Sequence, residues 1–335
     1  QDPNGNGSQE EIPLIGNKGG VCQIPKFFIN SFIYDSNNHL MLSDGKVDAS
    51  FNKPEFKEAL IWLNQLVKEN LLDPMTFTQD ESQLKVLMGQ PEVIVGGTAQ
   101  SNKTGILDRN IDEMSQRSDD YVPIMPLEGP NGVAYTSPGP AIPQPAYVIT
   151  SECKNPAAAY RVGDFMLNEE ATHFARFGVK GKDWEIPKEG VIGYNGEQAT
   201  LGYIREVWGM SSQNVNWQFT HPGFIPLSVF DSVVRPENPK EYNYAQFASS
   251  IGMSKFAPSQ EEMLPRKLSY TLEEMDKLAT IEPTITTYVD ENITRFIVGD
   301  RSFDDWDSYI AEYKKLQLDE YIDIVQAAYD RTMKN

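Results

Sequence analysis

Between residues 54 and 72 the apolar positions recur with a helical period. Phe56, Ala59, Leu60, Leu63, Leu66 and Val67 fall at i, i+3 and i+4 spacings, which gathers them on one face of an amphipathic helix. Asn52 is placed to cap that helix, and Pro54 suits its first turn. A shorter helix is expected around 79–89, ending at Gly89. The run EVIVGGTAQ then changes period: it is short, β-branched and closed by two glycines. That reads as a buried strand opening into a loop, the kind of carboxyl end where ligands gather in open α/β sheets. A proline-dense stretch from 122 reads as extended chain and closes on a second strand-like run, AYVIT, at 146–150. From Pro156 to Gly178 the chain reads as helix. Helical patterns return near 271–279 and over 284–298, where Ile285, Val289, Ile293, Phe296 and Ile297 share a face, and again over 304–331. Trp62 and Trp306 lie on helical stripes and are assigned to the core. Strands mixed with helices in the first half, then mostly helix, predict an α/β protein with a helical C-terminal region.

The remaining segments are loop-like. Residues 1–20 are dense in Gly, Asn and Pro, and Asn37-Asn38 and Asp44-Gly45 mark turns. Residues 179–235 are rich in Gly, Asn and Trp with little periodicity, and long irregular segments of this kind are commonly functional.

Charge narrows the possibilities. There are 29 Lys and Arg against 48 Asp and Glu, a net charge of −19. This argues against a nucleic-acid binder, which needs clustered Lys and Arg, and against direct seating on an anionic lipid surface. Hydrophobic residues make up 40% of the chain, enough for a large core, and the length predicts about two domains. Two cysteines, Cys22 and Cys153, and three dispersed histidines offer no zinc-ligand spacing. Whether the two thiols pair is left open by the sequence. No stretch approaches the ~20 apolar residues of a membrane-crossing helix. The chain opens on Gln1 within a loop, and a processed or truncated product is expected.

Two constellations carry chemistry. Asp2, Asn4 and Asn6 alternate ahead of Gly7, the start of a calcium loop of the form D-x-[DN]-x-[DN]-G. The twelfth position is Pro13 rather than Glu, so the closing carboxylates would be Glu10 and Glu11, with Ser8 offering its backbone carbonyl. The alternative is an Asn-Gly surface turn. The second constellation is a set of aromatics in loops: Tyr135, Trp184, Tyr194, Trp208, Trp217 and Phe224. Such rings stack on sugar faces, although any one of them also serves as packing. Gln213, Asn214, Asn216 and Gln218 around Trp217 supply hydrogen bonds for hydroxyls. No GxSxG, HExxH, Walker A or GxGxxG motif occurs, and adjacent carboxylates such as Asp119-Asp120 are expected by chance in so acidic a chain. An enzyme is not expected.

The ordered set of the DPNGNG…EEIP loop, PEFKEALIWLNQLVKENLLDP, VIVGGTAQ, GVKGKDWEIP, TITTYVDENITRFIVGD and the tail DDWDSYIAEYKKLQLDEYIDIVQAAYDR resembles the extracellular solute-binding proteins of carbohydrate ABC importers, of the large lipoprotein type found in Gram-positive bacteria. The resemblance implies a type II periplasmic-binding fold, a two-lobed clamshell without catalytic activity. It captures a sugar or oligosaccharide and presents it to the transmembrane permease subunits. It also implies a monomeric carrier held at the cell surface by a lipid anchor upstream of Gln1, together with a first α/β segment of the N-terminal lobe that this chain lacks. The chain is divided accordingly: 1–135, mostly C-terminal lobe with the calcium-type loop at 2–13; 136–190, a returning segment of the N-terminal lobe; 191–335, C-terminal lobe and hinge segments with the C-terminal helices. Related alginate-oligosaccharide binders carry a structural calcium, which implies Asp2, Asn4, Asn6, Ser8, Glu10 and Glu11 as ligands here. Trp217 resembles a sugar-stacking position. Asn214, Tyr194, Thr98, Gln100, Tyr135 and Trp208 are further candidate contacts, although Thr98-Ala99 stands where relatives often carry Trp. The acidic balance fits a neutral or cationic sugar better than a uronate. A carbohydrate-active hydrolase or lyase and a surface adhesion or scaffold module are the rival readings.

Overall fold

A computed structural model describes residues 7, 10–19, 24–100, 107, 117, 121–136, 147–205, 207, 227–240, 242–265 and 267–334. In chain order the elements are α1 (Ile24–Ile29), β1 (Leu40–Ser43), β2 (Lys46–Ala49), α2 (Pro54–Lys68), α3 (Glu81–Met88), α4 (Pro156–Met166), α5 (Glu169–Phe177), β3 (Trp184–Glu185), β4 (Gly202–Tyr203), α6 (Leu227–Asp231), α7 (Tyr242–Ser254), α8 (Leu272–Val298), α9 (Trp306–Lys315) and α10 (Leu318–Met333). They fall into two compact units, one of Gln1–Gly139 with Gln246–Asn335 and one of Pro140–Ala245.

The first unit is built on the helical stripe read from the sequence. α2 buries Phe56, Ala59, Leu60 and Leu63, and it packs on α8, whose buried face includes Ile285, Val289, Ile293 and Phe296. Each such side chain removed from water contributes roughly 1.5–3 kcal/mol. The Asn64 side-chain amide donates to the Ile297 carbonyl at 2.9 Å and ties the two helices together. Asn52 does not cap α2. Lys53 takes the cap position and makes no side-chain bond, because its ammonium only donates and cannot accept from the first N–H groups of the helix. Trp306 is buried as expected, but Trp62 lies off the buried stripe of α2. It is 37% exposed, resting on Phe28 with ring centroids 5.0 Å apart.

The two helical patterns around Pro283 form one helix of 27 residues. Leu278 and Ile281 before the proline and Ile285 and Val289 after it are buried on the same core. Shared burial on both flanks overrides the proline's preference for a helix end. β1 and β2 form an antiparallel hairpin pairing Leu40 with Ala49 and Ser43 with Lys46. Its turn residues Asp44 (φ 51) and Gly45 (φ 74) are both left-handed, the geometry that matches strand twist in a two-residue loop. The outer edge of β1 is met by the Glu262 carbonyl, which accepts from Leu42 N–H at 2.9 Å. The outer edge of β2 is met by Gln326 Oε1, which accepts from Val47 N–H at 2.7 Å.

A smaller cluster in the same unit joins Ile15, Leu84, Met88 and Val95. It forms because residues 12–15 run parallel to 94–97. Ile12 N–H donates to Ile94 O at 2.7 Å, Gly96 N–H to Ile12 O at 2.9 Å and Ile15 N–H to Gly97 O at 3.1 Å. The expected strand at 92–95 is thus a single parallel bridge, Ile12 to Val95.

In Pro140–Ala245 the expected helix 156–178 is two helices. The Asn168 side chain accepts from Ala171 N–H and starts α5 afresh, the usual work of an N-cap asparagine. Residues 147–150 take no regular secondary structure and pair with no strand among the described residues. The buried apolar cluster of this unit is Phe177, Leu201 and Val233. Beside it, buried Asp183 accepts from Val179 N–H at 2.8 Å and from Arg205 Nε at 3.0 Å. The Val179 N–H and then the Arg205 guanidinium hold its carboxyl below the usual range, against burial.

Candidate functional site

The parallel run of 12–15 on 94–97 places Thr98 and Gln100 just beyond its carboxyl end. Both are half-buried. Thr98 Oγ1 is buried and has no hydrogen-bond partner. A hydroxyl in that state costs about 1–3 kcal/mol until something bonds to it, so it marks a place for a polar group to arrive. Gly96-Gly97 ahead of it was the sequence signal.

At the other end of the run lies the calcium-type loop. Gly7 has φ 84, the left-handed conformation that a curled loop needs and glycine supplies without strain. Glu11 precedes the paired Ile12, and both of its carboxylate oxygens are buried without a hydrogen-bond partner. Glu10 beside it is half-buried. Two bare oxygens of one carboxylate are what a hard cation takes, so Glu11 fits the role of a calcium ligand. Asp2, Asn4, Asn6 and Ser8 lie outside the described residues. Among the described residues no group of three or more His, Cys, Asp or Glu side chains is assembled for a metal.

Tyr135 is held as a strut. Its hydroxyl donates to Glu262, and its ring meets Tyr34 edge-on with centroids 5.9 Å apart. Burial, then the Glu262 carboxylate, pushes the phenol up to about 12. Burial would raise Glu262 in turn, but the Tyr135 and Ser259 donors hold its carboxyl below the usual range. Tyr194 belongs to the other unit. It packs on the Phe177 cluster, with its ring 5.1 Å from that of Tyr244. Trp184 is likewise engaged. Its indole N–H donates to Gly178 O at 3.2 Å, and the Lys180 ammonium sits 5.6 Å from its ring centroid. Thr98, Gln100 and Tyr135 therefore share one unit, and Tyr194 lies in the second. Trp208, Asn214, Trp217 and Phe224 fall outside the described residues, as does Cys22.

One buried polar cluster was not expected from the sequence. His39 Nδ1 lies 2.9 Å from Asp35 Oδ1 and its Nε2 lies 3.4 Å from Asp290 Oδ1. Ser50 Oγ donates to the same Asp35 oxygen at 2.5 Å. Burial opposes the imidazolium, but the Asp35 and Asp290 carboxylates raise its pKa to about 9. Burial also pushes Asp35 up, but the His39 charge and hydrogen bond, the Lys26 charge and the Ser50 hydroxyl together hold it below the usual carboxylate range. The Ser50 hydroxyl turns to the aspartate and to the His39 backbone carbonyl at 3.1 Å, not to the imidazole. The set is a charged brace between the 35–50 segment and α8, in which the imidazole faces two carboxylates and not the serine hydroxyl. Only the i, i+4 spacing of Asp35 and His39 hinted at it.

No known family profile matches the chain. The fructooligosaccharide ABC transporter substrate-binding protein FusA of Streptococcus pneumoniae is 28% identical over 354 aligned positions, covering all of this chain and 60% of the relative. Among solved structures, an extracellular solute-binding protein from Bifidobacterium longum subsp. infantis superposes with a TM-score of 0.75 at 18% identity, covering 98% of this chain and 66% of its own. FusA in complex with kestose superposes at 0.71 and 22% identity, with 100% and 66% coverage. A FusA EF-hand mutant in complex with fructo-nystose superposes at 0.70 and 21%, with the same coverage. The chain thus spans less than two thirds of the length of the relatives it matches. The resemblance drawn from the order of motifs holds, and so does the fold class. The 335 residues have the fold of the extracellular solute-binding proteins and are related in sequence to the substrate-binding protein of a fructooligosaccharide ABC transporter.

Proposed function

We propose that the chain is the substrate-binding part of an ABC importer that captures an oligosaccharide and releases it unchanged. The observation that carries this reading is the match to FusA along the entire chain. The bare Thr98 hydroxyl beyond the parallel run supports it from geometry. Recognition rests on Trp217 stacking against a sugar ring, with Asn214, Thr98, Gln100, Tyr194, Tyr135 and Trp208 as further contacts. The lobes follow the division at 135 and 190 given above. The protein works outside the cell as a monomer, a surface lipoprotein of a Gram-positive bacterium that hands its cargo to permease subunits.

Calcium belongs to the same reading. Asp2, Asn4, Asn6, the Ser8 carbonyl, Glu10 and Glu11 would hold it, and its charge would satisfy the buried Glu11 oxygens and fix the loop. Relatives include a protein described as an EF-hand mutant, which supports a calcium loop in this group.

Titration calorimetry with kestose and longer fructo-oligosaccharides tests the capture. Saturable binding without new products is expected, and Trp217→Ala should weaken it at least tenfold, about 1.4 kcal/mol. Product formation would mark a hydrolase or lyase, and absence of any sugar binding a scaffold module. EDTA should lower the melting temperature by several degrees, and Glu11→Gln should remove that response.

A further inference from the structure

The run that ends at Thr98 has two edges. On one, the Ile12 carbonyl accepts from Gly96 N–H and the Ile12 N–H donates to the Ile94 carbonyl. In a parallel pair the residue between those two bonds turns its own carbonyl to the opposite side, so Val95 presents its carbonyl away from Ile12. Val95 is 3% exposed, and a carbonyl buried there needs a donor from the protein. Among the described residues Val95 pairs with no second strand. The donor is a side chain instead: the Tyr121 hydroxyl donates to the Val95 carbonyl at 2.9 Å. The Tyr121 ring packs on the cluster of Ile15, Leu84, Met88 and Val95. Arg117 does similar work where the segment begins. Its guanidinium donates to the carbonyls of Met88 at 3.1 Å, Gln90 at 2.6 Å and Pro91 at 3.0 Å, which the end of α3 and the turn after it leave without helical partners.

We infer that Tyr121 is a positioning residue for sugar capture, a role that rests on the function proposed above. It acts through Thr98 rather than on the sugar. The Val95 carbonyl and the Gly96 N–H belong to one planar peptide unit. Ile12 holds the N–H end of that plane and Tyr121 holds the oxygen end. Gly96 and Gly97 have no side chains to anchor them and wide backbone freedom, so their setting depends on bonds made to the peptide planes. Without the Tyr121 hydroxyl the Val95 carbonyl is a buried acceptor with its donor removed, a costly state. The plane then turns toward another donor, and the bare Thr98 hydroxyl swings with the chain that follows. On the Ile12 side the two backbones already lie close, since a methyl group at Gly96 would come within 2.9 Å of the Pro13 carbonyl.

Titration calorimetry with kestose on the full chain tests this as a cycle of Tyr121→Phe, Thr98→Val and the two combined. Phenylalanine keeps the ring in its cluster, so the fold is retained. Each single change should weaken binding at least threefold. The double variant should bind no more weakly than Thr98→Val alone, because the hydroxyl that Tyr121 aims is then already gone. Without sugar, amide exchange at Gly96, Gly97 and Thr98 should quicken at least tenfold in Tyr121→Phe. Losses that multiply in the double variant would make Tyr121 a structural residue only and overturn the inference. Unchanged affinity in either single variant, or unchanged exchange, would overturn it as well. If the unaltered chain bound no sugar, the capture reading would fall and this inference with it, whereas normal capture with multiplying losses would sink this inference alone.

Discussion

In the unit of Gln1–Gly139 and Gln246–Asn335, Phe56, Leu60, Ile285 and Phe296 are each closed off from water. In Pro140–Ala245 the side chains of comparable size on α4 face it, and the buried apolar cluster is Phe177, Leu201 and Val233 beside the Asp183 knot. One region is held by apolar burial across helices far apart in sequence. The other depends more on a few directional bonds. The difference shows that apolar composition alone does not bury a helix: α2 is closed off because α8 meets its stripe.

The comparison breaks first at the core. Phe296→Ala is expected to destabilise the first unit by about 3–5 kcal/mol in chemical denaturation, through lost burial and a cavity. If the loss matched that of a surface residue, the contrast between the units would be false.

Alkali should separate the units next. The folded-state pKa of His39 is raised to about 9 from roughly 6.5 when unfolded. Its stabilisation is therefore complete below about pH 6.5 and is lost as pH rises through 9. The loss, on the order of 2 kcal/mol, should show as faster amide exchange in the unit that holds His39, and His39→Asn should flatten the slope. Acid acts on both units. Asp183 in one and Asp35 in the other have depressed values, so their contributions are present above ordinary carboxylate pKa values and fade as pH falls through the folded ones.

Asp183→Ala should cost about 1–3 kcal/mol, because Val179 N–H and Arg205 lose their acceptor. The change should appear in Trp184 fluorescence before it appears in the first unit. The smallest effect is expected from Phe165→Ser, within about 0.5 kcal/mol in a denaturation of the chain alone. Set against Phe296→Ala, it compares two phenylalanines of opposite environment.

Much of this fold was legible where the signal is local. The stripe from Phe56 to Leu63, the Asp44-Gly45 turn and the Gly-Gly end at Thr98 each depend on neighbours in sequence. Pro283 misled because the burial that keeps α8 continuous comes from α2, more than 200 residues away. The brace of Asp35, His39, Ser50 and Asp290 was invisible for the same reason. Glu11 was found from its spacing, but the bareness of its oxygens could only be seen once residues 12–15 were laid along 94–97.

Gln326 has a consequence for behaviour in concentrated solution. Its side-chain carbonyl occupies the Val47 N–H, and its amide nitrogen reaches the Gly45 carbonyl at 3.3 Å. A strand from another molecule arriving there would find the template already taken, so fibril-like growth by strand addition is denied a starting point. Natural edges are commonly blunted by lysine or proline. Here one amide borrowed from α10 does it, and Gln326→Leu would leave the hairpin soluble only for as long as nothing docked on its rim.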